Sequence, residues 1–261
     1  MKLKIYIGLL WLLVAVPAYA QGRYHVGDVV PKPYLKVYGY ERFFNVTPIP
    51  VSVKARMEGC SFKANSGVDW DDLRYLQVLH CDADGNAIVG ELVCAKSIAD
   101  DLMSIFKALF QAGYPIEKMR LVDDYGGDDE ASMRDNNSSC FNQRKIPAGG
   151  IISKHSYGLA VDINPKYNPY YKVRNGKANV KPEESIEYVD REGDFPYMIK
   201  KGDLCYRLFK QHGFRWGGDW LSGKDYQHFE KPFPKLQTDK NNPPAGRRQS
   251  LQGRQGPIRQ N

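Results

Sequence analysis

The chain has 261 residues, of which 42% are hydrophobic and 26% charged, a balance typical of one enzyme-sized globular domain with a real core. Its formal net charge is +7. The excess lies at the two ends, in Lys2 and Lys4 and in the cations that follow Phe233, so the body between them has a net charge of about zero. The sequence therefore predicts no domain-wide basic surface and no nucleic-acid partner.

The first twenty residues have the features of a secretory signal peptide. Lys2 and Lys4 precede an apolar run over residues 5–16, and Ala18-Tyr19-Ala20 is a small-x-small cleavage site. The run is too short to serve as a membrane anchor, and no later segment is long and apolar enough to span a bilayer. We therefore expect an exported protein, periplasmic or extracellular, that begins near Gln21.

Three further segments follow from composition. Residues 21–55 are rich in Tyr and Pro without a sustained period, and we interpret them as an extended N-terminal arm. Residues 56–235 form the predicted main folded domain. Residues 236–261 are rich in Gln, Asn, Pro, Gly and Arg with almost no apolar side chains, which predicts a disordered basic tail.

Within the domain, the predicted elements alternate between short strands and two helices. A turn and a strand are predicted over 71–80, and the DADG run at 82–85 is a turn. Apolar residues at helical spacing predict a helix over 98–112, with Ser97 as its N-cap, and a second over 204–211. Residues 119–122 are predicted as a strand, 123–137 as a long loop and 159–164 as a strand with one apolar face. This pattern predicts an α+β fold.

The five cysteines are Cys60, Cys81, Cys94, Cys140 and Cys205. An odd number leaves at least one thiol unpaired within a monomer. The sequence contains no Cys-x-x-Cys pair, so it predicts neither a zinc ribbon nor a redox site. Their spacing does not determine a disulfide pattern.

Three polar residues have the types and spacing needed for a catalytic zinc site. His155 precedes Gly158, whose turn leads to Asp162 on the following strand, and His228 lies in a later short segment. Catalytic zinc takes three protein ligands and leaves one position for water. Each residue also has a structural interpretation, as a loop cap, a turn stabiliser or a core residue. We assign His25, His80 and His212 to structural roles of this kind.

A zinc hydrolase that activates water also needs a proton acceptor near the metal. Asp225, three residues before His228, is the candidate base. Arg144 is the candidate cation for the oxyanion, and Arg134 is a weaker candidate for that role or for a substrate carboxylate. The aromatic rings of Trp216 and Trp220 are expected to line a substrate groove, although core packing is the commoner use of tryptophan.

Two sequence blocks resemble a known family. The first is Ser153-x-His155-x-x-Gly158-x-Ala160-x-Asp162, and the second combines WGGDW at 216–220 with Asp225-x-x-His228-Phe229. They resemble the zinc-binding motifs of the D-alanyl-D-alanine carboxypeptidase and L-alanyl-D-glutamate endopeptidase family, over roughly residues 57–231. The second block is similar to the endopeptidase-like branch.

The resemblance implies Zn²⁺ held by His155, Asp162 and His228, with Asp225 as the catalytic base and Ser153 in the substrate-binding block. It implies a small central antiparallel sheet flanked by helices, with the zinc site on the sheet. The expected activity is hydrolysis of a peptide bond in the stem peptide of peptidoglycan, either L-Ala-D-Glu or D-Ala-D-Ala. The alternatives are a non-catalytic zinc-bearing module that binds peptidoglycan and, less favoured, an amidase. The oligomeric state is left open.

Overall fold

The computed structural model describes residues 24–64, 67–143 and 153–233. The predicted signal peptide and the predicted basic tail lie outside these residues. Within the described part, no helix has the length and apolar character required to cross a bilayer.

The largest sheet has four antiparallel strands in the order β1-β4-β3-β2. Its centre is the hairpin of β3 and β4, in which Leu73 pairs with Ala95 and Cys81 with Ala87. The Oδ1 atom of Asp82 accepts hydrogen bonds from the backbone of Asp84 and Asn86 and so closes the predicted turn. The strands are β1 (Val29–Val30), β2 (Asn45–Thr47), β3 (Leu73–Cys81) and β4 (Ala87–Ala95).

Three helices cover this sheet. Helix α3 (Ala99–Gln111) packs on one face through an apolar stripe that includes Leu102, Ile105 and Phe106, as the helical spacing predicts. Helices α1 (Lys32–Tyr38) and α2 (Val51–Met57) precede β3 in the chain. The predicted N-terminal arm therefore contributes two helices and two edge strands, because its Pro residues start helices and its Tyr and Phe side chains pack against the sheet.

Two sequence predictions of local structure were wrong, one at the start of a helix and one for a long loop. Ser97 lies in a 3₁₀ turn, Lys96–Ile98, and the N-cap of α3 is Ile98 without a side-chain cap. The predicted loop over 123–137 contains a 3₁₀ turn, Val122–Tyr125, and helix α4 (Asp129–Arg134). The side chain of Asp128 caps α4 by accepting from the backbone of Glu130 and Ala131, a signal that the polar composition of this stretch concealed.

Three smaller sheets complete the α+β fold that the sequence predicts. The second sheet has the order β10-β12-β7, the third has β11-β8-β9, and β5 and β6 form a parallel pair. The helix that the sequence predicts over 204–211 is helix α5 (Leu204–Gln211), and it packs against β10 of the second sheet. The strands are β5 (Lys118–Met119), β6 (Asn137–Ser138), β7 (Ala160–Asp162), β8 (Tyr170–Arg174), β9 (Lys177–Lys181), β10 (Arg215–Trp216), β11 (Lys224–Asp225) and β12 (His228–Glu230).

One apolar cluster joins the first and second sheets. Leu92 of β4, Phe106 of α3, Val161 of β7, Phe209 of α5 and Phe229 of β12 all belong to it and are all buried. The rings of Phe209 and Phe229 stack with their centroids 4.2 Å apart. This shared core fixes β7 and β12, the two strands that carry most of the candidate site.

Candidate metal centre

The structure brings His155, Asp162 and His228 together. His155 lies in a 3₁₀ turn, Lys154–Tyr157, Asp162 ends β7, and His228 begins β12. His228 and Asp162 are cross-strand partners in the antiparallel pair of β12 and β7. All three side chains are buried, and one ligand atom from each lies within 4.8 Å of the other two.

The distances between these atoms fit a small tetrahedral cation. The Nε2 atom of His155 lies 3.2 Å from Oδ2 of Asp162 and 3.2 Å from Nδ1 of His228. Nδ1 of His228 lies 3.0 Å from Oδ1 of Asp162. Zinc–ligand bonds of 2.0–2.2 Å in a tetrahedron place neighbouring ligand atoms roughly 3.3–3.6 Å apart. The set therefore needs only a small expansion to hold zinc.

The remaining nitrogen of each imidazole has a protein partner. Nδ1 of His155 donates to the carbonyl oxygen of Cys140 at 2.6 Å, which leaves Nε2 as the metal-facing atom. Nε2 of His228 lies 3.4 Å from Oε2 of Glu230, which leaves Nδ1 facing the other two ligands. These contacts fix both rings in the orientation that metal binding requires.

The buried carboxylate and imidazole groups of the set shift each other's pKa. Burial disfavours the imidazolium of His228, but hydrogen bonds to Asp162 and Glu230 outweigh it and raise its pKa to about 10. Burial likewise opposes ionisation of Asp162, yet the two histidines hold its pKa well below the usual range. The three side chains thus form an ion-paired cluster, and zinc would displace a proton from it on binding.

Gly158 makes the turn between the first two ligands possible. Its φ of +65° is in the left-handed region, and a Cβ atom there would lie 2.5 Å from the backbone nitrogen of Ala95. The close approach lets the carbonyl oxygen of Gly158 accept a hydrogen bond from that nitrogen at 2.9 Å. Glycine at this position therefore anchors the ligand turn to the end of β4.

Asp225 lies beside the metal-ligand set on β11. Its Oδ1 atom is buried and has no hydrogen-bond partner within the described residues. Burial raises the pKa of Asp225 to about 7, and the nearby Asp162 carboxylate contributes while His228 opposes the rise. A buried carboxylate oxygen without a partner is costly to keep, which is consistent with a group reserved for a proton or a ligand.

The WGGDW block serves mainly to position Asp225. A Cβ atom on Gly217 would lie 2.5 Å from the carbonyl oxygen of Asp225, and one on Gly218 would lie 2.4 Å from the ring of Trp216. Trp216 itself is buried in the core and donates from Nε1 to the carbonyl oxygen of Tyr226 at 2.8 Å. The expectation that Trp216 lines the substrate groove was therefore wrong, because its ring supports the strand that carries the base.

A cavity of about 860 Å³ opens onto the metal-ligand set and Asp225. Trp220 lines it, with its ring centroid 5.4 Å from that of His228, as predicted. Its rim is charged, with acidic side chains on α4 and the ammonium groups of Lys154 and Lys181. Nζ of Lys154 lies 3.3 Å above the ring of Phe233. The size and the mixture of aromatic and charged walls suit a short peptide.

The other predicted site residues have different positions. Ser153 lines the cavity, and its hydroxyl accepts from the backbone nitrogen of His155 at 3.3 Å. Arg134 is half exposed, pairs with Glu184 at 3.5 Å and does not line the cavity. The structure thus does not place Arg134 at the site, because α4 turns its side chain outward. Arg144 lies outside the described residues.

Sequence reasoning missed Glu230 and Lys154. Glu230 is two residues after His228, so both side chains lie on one face of β12, and this alternation was the available signal. Lys154 stands between Ser153 and His155 and was passed over as a spacer in the motif. The structural roles predicted for two other histidines agree with their contacts. His80 is buried and contacts the carbonyl oxygen of Ile116 at 2.7 Å, and His212 pairs with Asp101 at 2.9 Å.

Comparison with protein families gives one match. Residues 148–231, about a third of the chain, match the family model described as D-alanyl-D-alanine carboxypeptidase. Comparison with curated proteins and with solved structures gave no significant match. Peptidases of the matched family are zinc-dependent, in agreement with the His155, Asp162 and His228 set, which could hold the metal. The resemblance predicted from the two motif blocks is confirmed for the segment 148–231, which is similar to the D-alanyl-D-alanine carboxypeptidase family of zinc peptidases.

Proposed function

We propose that this protein is an exported zinc peptidase that hydrolyses a peptide bond in the stem peptide of peptidoglycan. The observation that carries the proposal is the buried Oδ1 of Asp225, which has no partner among the residues that the structure describes and lies beside a three-ligand set of tetrahedral spacing. A site that only stored zinc would gain nothing from leaving this oxygen unpaired. The match of residues 148–231 to a peptidase family supports the same reaction class.

The roles of the residues follow from their positions. His155, Asp162 and His228 would hold the zinc ion, which supplies a water of lowered pKa and polarises the scissile carbonyl when bound. Asp225 takes a proton at its carboxylate and returns it to the leaving amine. Its pKa near neutrality suits both transfers. Trp220 and the walls of the cavity hold the peptide and exclude water.

The scissile bond is either L-Ala-D-Glu or D-Ala-D-Ala. Both substrates carry carboxylates, and among the described residues the cations that reach the cavity are Lys154 and Lys181. Lys181 is paired with Glu130 at 3.1 Å, whereas the ammonium of Lys154 lies over an aromatic ring. Lys154 is therefore the described cation best placed to bind a substrate carboxylate, a role that the sequence assigned to Arg144 or Arg134.

The test is digestion of purified muropeptides by zinc-loaded protein, with and without a chelator, read by mass spectrometry. Loss of a terminal D-Ala identifies a carboxypeptidase, and release of an L-Ala-bearing fragment identifies an endopeptidase. Asp225→Asn is expected to reduce turnover by about 10²–10⁴-fold while zinc content is retained. Asp190→Asn, at a loop position outside the cavity, is the matched control.

If zinc-loaded protein cleaves neither bond, the catalytic proposal fails and a non-catalytic zinc-bearing module takes its place. Export is supported by the signal-peptide pattern of residues 1–20. Its test is independent of catalysis. The protein recovered from outside the cytoplasm should begin near Gln21 by N-terminal sequencing, and an intact Met1 in that fraction would contradict it.

A further inference from the structure

A second large cavity lies on the four-stranded sheet, away from the metal centre. It is a groove of about 1190 Å³, and none of the three metal ligands lines it. It occupies the sheet face opposite α3, between two apolar clusters. One cluster contains Leu79 and Val89 at one end of the hairpin, and the other contains Leu73 and Val93 at the other end. We call this cavity the sheet groove.

The floor of the sheet groove is polar where the rest of this sheet face is apolar. Gln77 of β3 is the cross-strand partner of Glu91 of β4. The carboxylate of Glu91 is fully buried and accepts from both terminal nitrogens of Arg56 at 3.1 and 2.6 Å and from the hydroxyl of Tyr75 at 2.9 Å. The side-chain amide of Gln77 has no hydrogen-bond partner within the described residues.

The charges that line the sheet groove balance, because the two guanidinium groups of Arg42 and Arg56 are matched by the two carboxylates of Glu91 and Asp124. Arg56 contacts the carboxylates of both Glu91 and Asp124 at 2.6 Å. Burying such a group is costly unless its partners satisfy it, and here they do. The sheet groove as a whole therefore presents hydroxyl, amide and carboxylate groups for hydrogen bonding but little net charge, which fits a polar ligand without a strong charge of its own.

One wall of the sheet groove consists of tyrosine rings in fixed positions. The centroid of Tyr34 lies 5.2 Å from that of Tyr24 and 4.6 Å from that of Tyr38. A guanidinium nitrogen of Arg42 donates to the hydroxyl of Tyr34 at 3.0 Å. Tyr38 is 46% exposed, a large value for an aromatic ring inside a cluster. These rings form a rigid platform with one accessible member.

We propose that the sheet groove binds a glycan chain. A pyranose ring presents apolar C–H faces that pack on aromatic rings and an equatorial belt of hydroxyl and amide groups that form hydrogen bonds. The tyrosine wall and the polar floor match these two surfaces. A nucleic acid would need net positive charge, which the sheet groove lacks, and an apolar ligand would leave the side-chain amide of Gln77 unsatisfied.

The position of the sheet groove suits an anchor for the proposed peptidase, and this step alone rests on the proposed function. Asp124 lines the sheet groove, and Gly127 and Asp128 line the cavity at the metal centre. Four residues of chain span at most about 14 Å, so the two cavities adjoin through one short segment. A glycan in the groove would keep its attached peptides close to Asp225.

The experiment is calorimetric titration of zinc-loaded protein with chitohexaose, an oligomer of N-acetylglucosamine. We expect saturable binding that is about tenfold or more weaker in Tyr38→Ala and in Gln77→Ala. Tyr188→Ala is the matched control, because Tyr188 belongs to a separate aromatic cluster with Tyr167 and Phe195. Circular dichroism and the thermal midpoint show that each variant folds.

The outcomes separate this proposal from the proposed function, because the titration measures binding without hydrolysis. Binding that is about tenfold or more weaker in both groove variants and kept in Tyr188→Ala supports the glycan site, whether or not muropeptides are cleaved. Absence of saturable binding overturns it. Binding of equal strength in folded Tyr38→Ala and Gln77→Ala also overturns it, since the oligosaccharide would then occupy another surface.

Discussion

At the scale of single residues, the candidate metal centre depends on partners outside the ligand set. Cys140 contributes its backbone carbonyl to orient His155, while Glu230 contributes a carboxylate to orient His228. The carbonyl oxygen stays in place in any folded variant. The carboxylate can be changed by mutation, so Glu230 is the residue with which the effect of orienting the His228 ring on zinc binding can be measured.

Glu230→Gln is expected to weaken zinc binding by about 10–100-fold, because the amide holds the imidazole less firmly and lowers its basicity. The measurement is competition with a chromophoric zinc chelator at fixed pH. Glu192→Gln, at an exposed position, controls for the loss of one carboxylate. Equal zinc affinity in Glu230→Gln and the unmodified protein would show that the core alone orients His228.

His80 gives a pH dependence of stability that is separate from the metal centre. Burial lowers its pKa to about 4, against 6.5 for an exposed histidine, although the contact with the carbonyl oxygen of Ile116 opposes the shift. Between these values the unfolded chain binds more protons than the folded chain. The contribution is therefore complete above pH 6.5 and lost as the pH falls towards 4, by up to about 3 kcal/mol.

The measurement is the free energy of unfolding in urea across pH 4–7 for the unmodified protein and for His80→Asn. The asparagine amide can replace the Nδ1 donor but does not titrate, so the slope over this range should decrease. His25→Asn, at an exposed histidine, should leave the slope unchanged. An undiminished slope in His80→Asn would assign the acid sensitivity to other groups.

At the scale of elements, short turns decide where the functional side chains lie. The turn at Gly158 joins His155 to β7, and the turn at Gly217 packs against Asp225 of β11. Both glycines belong to the motif blocks of the sequence, but the motifs do not show why glycine occupies these positions. The structure supplies the reasons, which are a left-handed backbone with a close contact at Gly158 and a close contact alone at Gly217.

Gly158→Ala is expected to destabilise the protein by about 2–4 kcal/mol, since its Cβ would combine the left-handed strain with a clash against the backbone of β4. Gly176→Ala is the matched control. It has a similar φ of +71° in the β8–β9 turn, but no heavy atom lies within 4 Å of its Cβ. Unfolding in urea measures both variants. Equal losses would mean that strain alone, and not the contact with β4, makes glycine necessary.

Gly217→Ala tests the link between the WGGDW block and the base. Its Cβ would push against the backbone and Cβ of Asp225, so turnover should fall by about 10²-fold, as expected for a shift of about 1 Å in a catalytic group. Zinc content should stay near that of the unmodified protein. Gly223→Ala, whose Cβ would meet only the flexible side chain of Lys172, is the control. Loss of zinc in Gly217→Ala would instead indicate disruption of β12.

At the scale of the whole molecule, apolar periodicity predicts single elements, whereas the motifs predict which distant residues come together. Helices α3 and α5 and strand β7 follow from apolar spacing, which is a local property of the chain. The placement of His228 opposite Asp162 could be predicted only from the motifs, because 66 residues separate them. The sheet groove could not be predicted, because it depends on how residues 24–56 fold back on β3 and β4, and short Tyr- and Pro-rich segments lack a periodic signal.

Zinc should stabilise the entire domain, because its three ligands come from different elements. His155 lies in the turn after Ser153, Asp162 in β7 and His228 in β12, and both strands share the core with α3 and α5. A ligand present at about 100 times its dissociation constant adds about 2.7 kcal/mol to the free energy of unfolding. The thermal midpoint should therefore rise with added zinc and fall with a chelator. His155→Ala should abolish this response, whereas His212→Ala, at a helix end outside the site, should retain it. A midpoint that does not respond to zinc in the unmodified protein would show that these three side chains, although correctly spaced, remain an ion-paired cluster that zinc does not enter.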